Sequence, residues 1–195
     1  VINPGANGIF HVLDLNSGNL IFSDVSGSSS KNIKFFNNND IIANPIFKHP
    51  YLYISSHSGN ISAYNLTSFQ NTWSLPIGSK NSPVISGETI FNIDNNGNLF
   101  AIDKNKGLIR WKNKFQTEIT RGVLFEEKNF INYFGPFVVG DKVLLLDDNQ
   151  TMFLINPDNG KIDFKTNLNR NVVSSIFLTN QIIFLFSNGK IYSYN

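Results

Sequence analysis

Gly97-Asn98-Leu99-Phe100-Ala101-Ile102-Asp103-Lys104-Asn105-Lys106-Gly107-Leu108-Ile109-Arg110-Trp111 reads as two short strands joined and preceded by tight turns. Asn96-Gly97 and Lys106-Gly107 supply the positive φ that such turns require, and the runs between them are rich in Leu, Ile and Phe. Upstream, Val84-Ile85, the Gly87-Glu88 turn and Thr89–Ile93 add a hairpin of the same kind. The result is a unit of four short antiparallel strands, with no sustained helical period anywhere in it.

The pattern returns. Gly8–Asp14, Gly59–Asn65, Gln150–Asn156 and Gly189–Asn195 align with Gly97–Asp103, with Gln150 in the place of the turn glycine. The anchors are separated by 51, 38, 53 and 39 residues, spacings that suit propeller repeats and are too long for leucine-rich or ankyrin units. Ten residues past the anchor stand Gly18, Phe69, Gly107 and Gly160, and fourteen past it stand Phe22, Trp73, Trp111 and Phe164. Pro45, Pro83 and Pro136 are expected to open their units where a strand begins. Sheets repeated this way bury both faces by stacking on their neighbours. The fold class predicted is therefore all-β, an incomplete propeller of four-stranded blades with units near residues 1–25, 44–78, 82–115, 135–168 and 174–195. The first unit is expected to lack its two leading strands, and the last to stop before its aromatic strand.

Composition fits this reading. The chain has 195 residues, 41% of them hydrophobic and 15% charged, enough to form a sizeable core. A formal charge of +2 gives no electrostatic argument for nucleic acid or an anionic membrane. The absence of cysteine excludes disulfides, thiolate zinc sites and a cysteine nucleophile. Val143–Leu146 and Ile182–Phe186 are far shorter than the roughly 20 apolar residues of a membrane helix. The chain opens Val1-Ile2-Asn3-Pro4 with no initiator methionine or signal-like segment, so any targeting segment is expected upstream. The abundant asparagines suggest no chemistry at this level.

Motifs that could carry catalysis have simpler readings. Asp94-Asn95-Asn96-Gly97-Asn98 superficially looks like a calcium loop, but Asn105 stands where the bidentate acidic ligand would be required, and a hairpin turn explains the stretch. His11, His49 and His57 have no second histidine at metal-binding spacing. Ser56-His57 lacks a nucleophile elbow, and Gly27-Ser28-Ser29-Ser30-Lys31 lacks the ending of a phosphate-binding loop. Phe35-Phe36, Phe130 and Tyr133-Phe134 fall outside the repeat register, which suits either an exposed contact patch or the burial of a long connector.

The pattern Ala101-x-Asp103-x-x-x-Gly107-x-x-x-Trp111 resembles the tryptophan-docking signature of PQQ-like propeller repeats, with Ser62 to Trp73 and Leu154 to Phe164 as weaker copies. In such repeats the aromatic packs between adjacent blades, so the resemblance implies a structural role for Ala101, Asp103, Gly107, Trp111, Trp73, Phe22 and Phe164. The alternating intervals and the ending Gln181–Asn195 are similar to the C-terminal part of the BamB family of outer-membrane assembly lipoproteins. That resemblance implies four to five blades of an eight-bladed periplasmic propeller, anchored to the outer membrane by a lipid on a cysteine upstream of Val1. It further implies a non-catalytic scaffold without a cofactor, which binds the periplasmic domains of the assembly protein BamA and helps insert nascent outer-membrane proteins.

Partner contacts are expected in the long connectors, which a rigid ring leaves free to vary. The candidates are Asp40, Ile41 and Ile42, where the family carries an acidic contact loop, and Arg121, Glu126 and Glu127 in the segment Glu118–Gly135. Two alternatives share the repeat. One is a PQQ-dependent dehydrogenase, which would need a catalytic aspartate and calcium ligands that no motif here identifies; the other is a generic propeller adaptor.

Overall fold

A computed structural model describes residues 1–26, 40–57, 59–115, 118–121, 127–169, 172–177 and 181–194. All the regular elements among them are strands, apart from a 3₁₀ turn at Ala6–Gly8. The first sheet holds β1 (Ile2–Pro4), β2 (Ile9–Leu13) and β3 (Leu20–Val25) in that order. The second comprises β4 (Ile46–Lys48), β5 (Tyr51–Ser55), β6 (Ile61–Asn65) and β7 (Gln70–Leu75), and the third β8 (Val84–Ser86), β9 (Thr89–Ile93), β10 (Asn98–Asp103) and β11 (Ile109–Lys114). A two-stranded hairpin of β12 (Glu118–Arg121) and β13 (Glu127–Phe130) intervenes. The fourth sheet follows with β14 (Tyr133–Val139), β15 (Lys142–Asp147), β16 (Thr151–Ile155) and β17 (Ile162–Asn167). The fifth has β18 (Val172–Phe177), β19 (Ile182–Phe186) and β20 (Ile191–Tyr194).

Every sheet is an antiparallel meander, and each core lies between two consecutive sheets. Phe10 and Val12 meet Leu52, Ile54 and Tyr64 between the first and second, and Tyr53 and Ala63 meet Ile90 and Ile102 between the second and third. Phe91 and Leu99 face Val143 and Phe153 next, and Leu144 and Met152 face Ile182 and Phe184 last. The middle strands are thus covered on both faces, which is why β5, β10 and β15 carry nearly continuous apolar runs where a one-sided sheet would alternate.

The repeat corresponds to one local geometry. Asp14, Asn65, Asp103 and Asn156 each accept two backbone N–H groups from the turn that follows, as Asp103 Oδ1 does from Asn105 and Lys106. The chain then passes through positive φ at Gly18, Phe69, Gly107 and Gly160, and a β-bulge follows the residue opposite the aromatic in all four copies. Gln150 keeps the left-handed conformation of the glycine it replaces, with φ 68°. The glycines serve a second purpose. A Cβ on Gly107 would lie 2.7 Å from the Trp73 ring, and one on Gly160 would lie 2.6 Å from Trp111. Each indole therefore sits on the glycine of the next sheet, and its Nε1–H donates to Lys104 O (2.9 Å) or Pro157 O (2.7 Å) in the same turn. Where Phe69 replaces the glycine, the preceding aromatic is Phe22, and the two rings pack at 5.3 Å.

Asp103 is held below the usual carboxylate range, first by the Arg110 guanidinium donating to it and then by the Lys106 and Asn105 amides. A lowered folded-state pKa contributes stability that is present above the unfolded value and lost as pH falls through the folded one. Asp103→Asn keeps an acceptor for the turn amides, as Asn65 and Asn156 do, but loses the pairing with Arg110, so it is expected to lower stability slightly at neutral pH and to flatten the acid side of a thermal-stability profile below about pH 4. An unchanged acid slope would contradict this assignment.

Two expectations are corrected. The first sheet lacks one leading strand, because Ile2–Pro4 pairs with β2; three residues ending in proline at a sheet edge are too few to show alternation. Pro136 does not open its unit but lies inside β14, which starts at Tyr133, at a bulge between Phe134 and Phe137 on the sheet's edge strand. The long connector segment Glu118–Gly135 contains the β12–β13 hairpin.

Candidate partner-binding surface

At one end of the stacked sheets, the turns between second and third strands meet the connectors from sheet to sheet, and polar groups tie them together. Ile41 N–H donates to Gly5 O (3.3 Å) and His57 N–H to Asp40 O (2.8 Å), fixing the segment after the first sheet onto the first two sheets. Asn95 Nδ2 donates to His57 O, and Lys80 N–H donates to Asn95 Oδ1. Lys80 Nζ then reaches Asn132 Oδ1, while Asn132 N–H and Nδ2 both donate to Asp148 Oδ2 at 3.0 and 2.9 Å. A parallel link runs from Asn81 Nδ2 to Tyr133 O (2.8 Å). The belt crosses four sheets, and asparagine makes most of its bridges because one short amide both donates and accepts. Residues 40–41, 80–81 and 132–133 of the connectors are thereby tied to the sheets.

The sequence candidates divide on this surface. Ile41 is 7% exposed and packs against Phe10, Leu52, Ile54 and Tyr64, so its side chain belongs to the core. Ile42, its neighbour, is 57% exposed, and Asp40 is half-buried with its carbonyl in the belt. Arg121 and Glu127 stand opposite each other in the register of β12 and β13, away from the Asp40–Ile42 segment in the chain. Glu126, Phe35 and Phe36 lie outside the described residues. Tyr133 is buried, whereas Phe134 is 53% exposed.

The strongly perturbed groups belong to the packed interior. Burial pushes the Tyr53 phenol up to about 12 and raises Tyr133 as well, and burial raises Asp147 although Thr151 N–H donates to it at 2.7 Å. Asp94 Oδ1 accepts from Asn96 and Asn98 N–H, which makes the calcium-like stretch a hairpin turn. Among the described residues no group of three or more His, Asp or Glu side chains converges as metal ligands.

The family model described as "Outer membrane protein assembly factor BamB" matches residues 1–113, more than half of the chain. The chain belongs to the BamB family. The outer membrane protein assembly factor BamB of Moranella endobia is 23% identical over 188 residues, covering 96% of this chain and 45% of that protein. Its counterpart in Salmonella typhimurium is 25% identical over 187 residues, covering 96% and 43%. The chain thus spans somewhat under half the length of these curated relatives. The crystal structure of BamB from Moraxella catarrhalis superposes with a TM-score of 0.79 at 17% identity, over 98% of this chain and 54% of that one. The fold is accordingly that of a β-propeller built from PQQ-like repeats, of which this chain forms a part. A dihydro-heme d1 dehydrogenase, NirN, superposes with a TM-score of 0.65 at 12% identity over all of this chain and 41% of that one, a likeness of fold alone.

Proposed function

We propose that this BamB-family chain acts as a non-catalytic scaffold of outer-membrane barrel assembly on the periplasmic face of the outer membrane of a Gram-negative bacterium. It offers its belted connector end to the periplasmic domains of a BamA-like assembly protein and so helps position nascent outer-membrane proteins. The observation carrying this reading is the Asp40–Ala43 segment. Ile41 and Ala43 are buried as anchors, the backbone of Asp40 and Ile41 is hydrogen bonded to two sheets, and Ile42 between the anchors points an apolar side chain outward. A preorganised apolar contact of this sort loses little conformational entropy on binding. The β12–β13 hairpin, with Arg121, Glu127 and the adjoining Glu126, forms a second contact in this reading. The names of the relatives support the process, since each is an outer membrane protein assembly factor.

A photocrosslinking amino acid at Ile42 is expected to capture the assembly protein in cells, whereas one at Leu108, 61% exposed in a turn at the opposite end, is not. Equal capture from both positions, or capture only from Leu108, would contradict the assigned surface.

A further inference from the structure

An Asn-Gly pair is a point at which a polypeptide readily modifies itself, because glycine has no Cβ to hinder attack of its backbone nitrogen on the asparagine carboxamide. Asn7-Gly8 lies in the 3₁₀ turn, and the other pairs stand in hairpin turns: Asn96-Gly97 between β9 and β10, Asn159-Gly160 between β16 and β17, and Asn188-Gly189 between β19 and β20. Asn96, Asn159 and Asn188 are all exposed. In each turn the glycine N–H donates back across the turn, to Asp94 O (3.1 Å), Asn156 O (2.9 Å) or Phe186 O (2.9 Å). The carboxamides differ. Asn159 Oδ1 accepts from Lys161 N–H (2.9 Å) and Asn188 Oδ1 from Lys190 N–H (3.0 Å), whereas the Asn96 carboxamide has no hydrogen bond among the described residues.

The repeat explains this difference. In the second, third and fourth sheets, the residue three before the turn glycine, or before Gln150 in its place, caps the amide that follows it. Ser56 Oγ accepts from Asn60 N–H (3.0 Å), Asp94 Oδ1 from Asn98 N–H (2.8 Å) and Asp147 Oδ1 from Thr151 N–H (2.7 Å). The fifth sheet has Phe186 at that position, which offers no side-chain acceptor, and Asn188 caps the amide with its own carboxamide. Asp94 performs that task in the third sheet and leaves Asn96 unbound.

We infer that Asn96 is the residue of these hairpin turns that deamidates spontaneously in the folded protein. The Gly97 nitrogen gives its proton to solvent and attacks Cγ of Asn96; the N–Cγ bond forms, the Cγ–Nδ2 bond breaks, and the nitrogen departs as ammonia. Water then opens the cyclic imide at either carbonyl, leaving aspartate or, with one more methylene in the backbone, isoaspartate. Only the Gly97 bond to Asp94 O must break first, whereas Asn159 and Asn188 must each give up a side-chain bond as well. The product alters the belt, because it adds a carboxylate to the turn of Asp94 beside Asn95, which accepts from Lys80 N–H and donates to His57 O. This inference goes beyond the scaffold reading, and its test needs no assembly protein.

The test is incubation of the folded chain in mildly alkaline buffer, followed by peptide mapping with mass spectrometry at Asn96, Asn159 and Asn188. Asn96 is expected to react about fivefold faster than the other two, the rate equivalent of one hydrogen bond fewer to break. In urea, where no turn persists, the rates are expected to converge. Asp94→Ala leaves Asn98 N–H for the Asn96 carboxamide to take, as Asn188 takes that of Lys190, and is expected to slow Asn96 about fivefold with the circular dichroism unchanged. Asp94→Ser keeps a cap of the kind Ser56 provides and is expected to leave the rate near that of the parent. A rate at Asn96 no higher than at the other two, the same ranking in urea, an undiminished rate in Asp94→Ala or a slowed one in Asp94→Ser would overturn the proposal. None of these outcomes bears on crosslinking from Ile42, so the two readings fail separately.

Discussion

Trp73→Ala is expected to lower the free energy of unfolding by about 3–5 kcal/mol, the range for removing a buried indole. Trp73 is only 9% exposed, stacks near Tyr53 and rests on Gly107 of the next sheet, where its Nε1–H satisfies Lys104 O. Truncation opens a void between the second and third sheets and leaves that carbonyl without the indole donor. Because a stack of sheets is stabilised largely through its neighbour interfaces, the loss should appear in the whole transition rather than in a local one. Urea unfolding followed by circular dichroism checks it; a loss under about 1 kcal/mol would show that the indole does not hold the sheets together.

The second large effect comes from the other partner in the same device. Gly160→Ala places a methyl group 2.6 Å from the Trp111 ring at a φ of 73°. The left-handed backbone costs a non-glycine residue about 1–2 kcal/mol, and overpacking adds about 1–3 kcal/mol, so a total near 2–5 kcal/mol is expected. The two parts can be separated. In a Trp111→Phe background the smaller ring relieves the clash and leaves the backbone cost, so the double-mutant cycle should show a coupling above about 1 kcal/mol. The protein already contains the relieved arrangement: Phe69 occupies the glycine position at φ 53° and packs on Phe22. Additive effects of the two substitutions would refute the view that glycine is there to admit the indole.

The blades were legible in the sequence because their determinants are local. Asp103, Gly107 and Trp111 each act within one hairpin or on the next, and their spacing survives even where Gln150 or Phe69 replaces a glycine, since the backbone geometry is retained. The binding surface was legible only in part, because its determinants are not local. Ile41 and Ile42 are adjacent and chemically identical, and only the packing of Phe10 and Tyr64 against one of them makes it core and the other surface. The asparagines carried no periodic signal, yet Asn95, Asn81 and Asn132 bridge consecutive sheets through residues 15 to 52 positions apart in the chain. The Gly135-Pro136 pair was visible, but read as the start of a strand; that it is a bulge follows only from its pairing with Leu145, and the exposed Phe134 follows from the bulge.

Calorimetric titration of the chain with the periplasmic domains of its BamA-like assembly protein tests the scaffold assignment most directly, run beside Ile42→Asp. Saturable binding that weakens about tenfold or more in Ile42→Asp, with folding unchanged by circular dichroism, is the result predicted. A folded chain that gives no binding, or binding indifferent to Ile42→Asp, would contradict it.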